Sequence, residues 1–101
     1  MIKQNIDING YWKVKIIYNA YLGYYNTGFT HTDYKNKVSV VGISLSTSCE
    51  EFMDTLIHEI RHLVNDICKY YDVDLESEDA SYLTGFIIKR VYSFYKKYID
   101  C

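Results

Sequence analysis

Val38-Ser39-Val40-Val41-Gly42-Ile43-Ser44-Leu45 runs directly into Ser46-Thr47-Ser48 and then into the long segment from Cys49 to Tyr70. Val38 to Leu45 is compact and β-branched, which predicts a strand. Ser46, Thr47 and Ser48 supply candidate helix N-caps, and Glu50 and Glu51 fall in the first turn, where a helix favours acidic side chains. From Cys49 to about Tyr70 the apolar positions Met53, Leu56, Ile57, Ile60, Leu63, Val64 and Ile67 recur at helical spacing, so an amphipathic helix is expected.

Upstream, Trp12, Val14, Ile16 and Tyr18 alternate with Tyr11, Lys13 and Lys15, which predicts a half-buried strand over Tyr11 to Tyr18. Asn19 to Lys37 is rich in Gly, Asn, Asp and Thr and reads as a hairpin or long loop, with room for a short strand at Ala20 to Tyr25. Downstream, a polar connection from Asp72 to Glu76 leads to a second helix, about Ser77 to Tyr98, with Ala80, Leu83, Ile87, Val91 and Phe94 on one side. Strands followed by two helices imply an α+β domain with a small, mostly antiparallel sheet. The length of 101 residues accommodates one domain, residues 1–101, and no second core.

The net charge of −2 gives no concentrated basic face for nucleic acid. Lys89, Arg90, Lys96 and Lys97 read as the cationic C-terminal half of the second helix. No apolar run reaches the ~18–20 residues of a membrane span, and residues 1–7 lack the apolar core of a signal peptide. Cys49, Cys68 and Cys101 are odd in number and widely spaced, which fits neither a disulfide framework nor a thiolate metal site and suggests a reducing, cytoplasmic setting. Cys68 falls on the apolar side of the first helix and reads as core.

Within that helix stands His58-Glu59-Ile60-Arg61-His62, the pattern H-E-x-x-H. Two histidines four apart project from one helical face and can grip one metal ion, for which zinc is the expected choice. The glutamate between them is suited to a different task, taking a proton from water activated by the metal. With Ile60 at zero and 100° per residue, His58 and His62 fall near ~160° and ~200°, opposite an apolar stripe spanning about −60° to +60°. The pair therefore lies either on a solvated face or in a cleft covered by other parts of the chain.

A catalytic zinc needs a third protein ligand. No third histidine follows in the H-E-x-x-H-x-x-G-x-x-H spacing, so an acidic residue from the second helix is the other source. Glu76, Glu78 and Asp79 stand where that helix begins, although acidic first-turn residues behind a Ser77 cap also have a purely structural explanation. His31 is a further candidate ligand or oxyanion partner, with an exposed loop position as its simpler reading. Tyr82 has an oxyanion role to set against plain packing.

His58 to Val64, followed by Glu78-Asp79-Ala80-Ser81-Tyr82-Leu83-Thr84-Gly85-Phe86-Ile87, resembles small phage and prophage proteins of the zincin type. It is more distantly similar to gluzincins, peptidases whose third zinc ligand is a glutamate on the helix after H-E-x-x-H. The resemblance covers about Thr55 to Ile88. It implies a minimal zincin-like metallopeptidase with His58, His62 and Glu78 as zinc ligands, Glu59 as general base, and a peptide or protein as substrate. If the chain is phage-encoded, the setting is the host cytoplasm. An inactive zincin-like binding protein of phage origin is the alternative, and a helical interaction domain without metal is a third.

Two geometric expectations follow. A straight helix from His62 to Tyr70 rises about 12 Å, so Glu78 reaches the histidines only if the helix ends near Ile67 to Lys69 or the connection folds back. Val38 to Leu45, leading into the helix, is the strand expected to offer its edge to an extended peptide.

Overall fold

In a computed structural model, residues 2–19, 28–44 and 48–97 are described. Four strands are followed by two helices: β1 (Ile2–Ile8), β2 (Trp12–Asn19), β3 (Gly28–Asp33), β4 (Val38–Ser44), α1 (Cys49–Tyr71) and α2 (Glu78–Tyr95). The α+β architecture expected from the sequence is the one observed. The proposed strand at 20–25, and the cap candidates Ser46 and Thr47, lie outside the described residues.

The sheet has the order β1-β2-β4-β3. Two antiparallel hairpins, β1–β2 and β3–β4, meet along a central parallel pair, β2 with β4, in which Ile16 stands beside Val41. Neither β1 nor β3 is among the expected strands, and β3 falls within the stretch expected to form a hairpin or a long loop. The β1–β2 turn rests on Asn9 and Gly10, both at positive φ (49° and 80°), a conformation glycine and asparagine adopt at little cost. β4 is interior, paired on both sides, so the edge role expected for Val38 to Leu45 falls instead to β3 and β1.

Both helices cover one face of the sheet. α1 lies over β3 and β4, and α2 lies against α1 and β1. The alternation in β2 buries Trp12, Val14, Ile16 and Tyr18, and the helical stripe of α1 buries Leu56, Ile60, Leu63, Val64 and Ile67 against them. Tyr18 stacks on Phe52, Phe94 and Tyr95, joining β2 to both helices. The Phe52 and Tyr95 rings lie parallel, with centroids 3.9 Å apart.

Ser48 caps α1, its hydroxyl accepting the Glu51 N–H. At the other end Asp72 takes a left-handed conformation, with its N–H directed to the carbonyls of Cys68 and Lys69. Ser77 caps α2 as expected, accepting the Ala80 N–H. Cys68 is buried and free, and burial pushes its thiol pKa up. Cys49 is disulfide-bonded, which the reading of the cysteines did not anticipate. Among the described residues, no helix is long and apolar enough to cross a membrane.

Candidate metal centre

The row of β3 that faces α1 is Gly28, Thr30 and Thr32, and the row of α1 beneath it is Thr55, Glu59 and Asp66. These three helix positions fall within about 40° of one another at 100° per residue, so one strand can cover them all. Gly28 allows the closest approach: a Cβ there would stand 2.7 Å from Thr55 Cγ2, 2.9 Å from the Gly42 carbonyl oxygen and 3.0 Å from Glu59 Cγ. One strand step along, the Thr30 hydroxyl donates to Glu59 Oε1 at 2.8 Å and lies 3.1 Å from the Glu59 carbonyl oxygen. A further step along, the Thr32 hydroxyl donates to Asp66 Oδ2 at 2.7 Å.

This polar seam continues into the sheet. Trp12 Nε1–H donates to Ser39 Oγ at 3.0 Å, and Ser39 Oγ lies 2.8 Å from Thr32 Oγ1. A carboxylate only accepts, so Thr32 spends its single proton on Asp66, and Ser39 must donate to Thr32. The chain therefore runs in one direction, Trp12 to Ser39 to Thr32 to Asp66, and the indole N–H and the buried Ser39 hydroxyl are both satisfied.

β3 thus shelters one flank of the helix while leaving the histidines open. Glu59 is only 7% exposed, whereas His58 and His62 are exposed. Their Nε2 atoms stand 3.2 Å apart. At that separation the two imidazoles either share a proton, one Nε2–H donating to the other, or share a cation. Two zinc–nitrogen bonds of ~2.0–2.1 Å at a tetrahedral angle place their nitrogens about 3.3–3.4 Å apart. The donor pair therefore fits a zinc ion in chemistry and in spacing.

Glu78 is not gathered with that pair. Among the described residues no group of three or more His, Cys, Asp and Glu side chains is placed to hold a metal ion. The connection does fold back, setting Leu75 and Ala80 in one groove with Arg61 and Val64, but α1 does not end early. It continues nine residues past His62 to Tyr71, and residues 72–77 then turn directly into α2. That extension is about 13–14 Å of helix. Glu78 and Glu76 are exposed, and Asp79 lines a separate cavity with Ile8, Tyr11 and Cys68.

His31 stands between Thr30 and Thr32, and strand alternation directs it to the sheet face away from α1, so it takes no part in the centre. Tyr82 is 72% exposed and borders the cavity that Asp79 lines. Thr30 and Gly28 are the contributors that the sequence reading missed. Comparison with protein-family models, curated proteins and solved structures finds no match. The centre is therefore defined by its own geometry, an H-E-x-x-H helix under the edge strand of a two-layer α+β domain.

Proposed function

We propose that the chain is a zinc-dependent peptidase in which His58 and His62 hold the metal and Glu59 handles the proton; Glu78, not gathered with the pair here, would have to move to serve as third donor. The observation that carries this reading is the convergence of the two Nε2 atoms at 3.2 Å, beside a glutamate that a neighbouring strand holds in place. Zinc in such a site supplies the Lewis acidity that hydrolysis of an amide needs at neutral pH.

Glu59 Oε1 is occupied by the Thr30 hydroxyl. Oε2 is then the oxygen that takes a proton from the attacking water and returns it to the leaving amine. β3 lies at the end of the sheet, directly over α1. An extended peptide adding to its outer edge would run alongside the histidines.

The second reading is a zincin-like binding protein without catalysis. It is favoured by the exposure of the histidine pair and by Glu78 not being gathered with it. Glu59→Gln separates the two readings. It preserves the shape of the side chain and the acceptor for Thr30, so zinc affinity should stay within about threefold of wild type. Hydrolysis of a mixed peptide pool should fall by at least ~100-fold. Equal hydrolysis by the two proteins would remove Glu59 from the reaction. Glu78→Gln should weaken zinc binding by at least ~10-fold if Glu78 is the third donor.

A further inference from the structure

A groove of about 340 Å³ lies between α1 and α2. Ile57 and Val64 of α1 and Ile88 of α2 form aliphatic walls, and Ser81, Thr84 and Arg61 are its polar members. Ser81 and Thr84 spend their hydroxyl protons within α2, on the carbonyls of Ser77 and Ala80. Arg61 is different. Among the described residues it is the one charged side chain lining the groove, and it is exposed and forms no ion pair or hydrogen bond with any of them.

The groove also has a defined position relative to the histidines. On a helix, residues three and four apart are surface neighbours, with Cβ atoms about 5–6 Å apart. Arg61 is therefore flanked by His58 on one side and by Ile57, in the groove wall, on the other. Ile57, His58, Arg61 and His62 make one continuous patch of α1, with the imidazoles at one margin and the aliphatic groove at the other.

Resting on the peptidase reading, we infer that this groove receives the C-terminal residue of a peptide. Its aliphatic side chain lies among Ile57, Val64 and Ile88, and its free α-carboxylate lies on the Arg61 guanidinium. A planar guanidinium that no described residue engages is matched to a carboxylate in charge and in geometry. The volume is at the small end of ligand sites, which suits one residue rather than a folded segment. The peptide bond preceding a terminal carboxylate is only one residue away, about 3.6 Å along an extended chain, so a chain that leaves Arg61 toward His58 brings that bond beside the histidines. The reaction is removal of the last residue. The terminal C–N bond breaks, water gives its hydroxyl to the acyl carbon and its proton to the leaving amine, and the products are a shortened peptide and a free aliphatic amino acid.

The first test needs no metal. Zinc-free protein with labelled methyl groups is titrated with N-acetyl-leucine and with its uncharged amide, N-acetyl-leucinamide, and the methyl resonances of Ile57, Val64 and Ile88 are followed by NMR. The expected result is movement of these signals, with the acid binding about tenfold tighter than the amide. Arg61→Gln should remove that preference without altering the dispersion of the remaining spectrum. Equal affinity for acid and amide would overturn the inference in favour of an internal peptide segment, and no movement at these methyls would overturn it outright. The second test uses zinc-loaded protein and acetyl-Ala-Ala-Leu with a free or an amidated C-terminus. Release of leucine from the free acid alone is expected, and equal cleavage of both would contradict the terminal-carboxylate assignment. Failure of the wild type to bind zinc would sink the peptidase reading while leaving the carboxylate titration intact, so the two failures are distinguishable.

Discussion

Glu59 illustrates how much one hydroxyl contributes to this centre. The carboxylate is nearly buried, and its hydrogen-bond donor is Thr30, twenty-nine residues earlier in the chain. Thr30→Val keeps the shape and removes the donor, leaving a buried charged acceptor short of a partner. The expected cost is about 1–3 kcal/mol of unfolding free energy, read as a lower urea midpoint at unchanged slope. The imidazoles lie on the exposed side of the helix, so zinc binding should survive this change. A Thr30→Val variant as stable as wild type would show that the bond does not anchor Glu59. The sequence displays Glu59 and both histidines because four-residue spacing fixes a shared helical face. It does not display Thr30, since nothing in a threonine's local context says which side chain it meets across the chain.

At the scale of elements, two glycines make opposite predictions. Gly28 sits where β3 meets α1, and an added methyl group would press on Thr55, on the Gly42 carbonyl and on Glu59. Gly28→Ala should cost about 1–3 kcal/mol, because at least one contact is with backbone that cannot swing aside. Gly85, inside α2, has nothing within 4 Å of an added Cβ. Gly85→Ala should therefore gain about 0.5–1 kcal/mol from helix propensity alone. Thermal or urea unfolding of the two variants checks both signs, and a destabilised Gly85→Ala would mean that α2 needs its glycine for something other than helix geometry.

The same elements show why parts of the fold were legible and others were not. α1 carries a full apolar stripe and a serine cap, and both were readable. β1 has its own signal in Asn9-Gly10 between two alternating runs, a signal the reading passed over. β3 has no such signal, because the row it buries is Gly28, Thr30 and Thr32. A strand that packs through hydroxyls onto carboxylates looks like loop to any hydrophobic pattern. The parallel pairing of β2 with β4 was hidden too, since strand neighbours in a sheet are not written in strand order.

Across the whole molecule, one hydrogen-bonded chain passes through β2, β4, β3 and α1, from Trp12 through Ser39 and Thr32 to Asp66. Ser39 is fully buried at 0% exposure and both receives and gives within it. Ser39→Ala should strand the Trp12 N–H and leave Thr32 without its donor, at about 1–3 kcal/mol. The Trp12 fluorescence should report the altered setting in the folded state. An unchanged midpoint and emission would mean that the chain contributes nothing to the register of the sheet on α1. The register matters because it places β3 over Glu59 and leaves His58 and His62 open.

The central claim is that those two histidines hold zinc. Its most direct test is metal analysis of protein purified without a histidine tag and without added zinc, alongside the His58→Ala/His62→Ala double variant. The account predicts about one equivalent of zinc in the wild type, or a clear thermal shift on adding zinc, and neither in the double variant. Zinc well below one equivalent with no thermal shift, or full zinc content retained by the double variant, would contradict it.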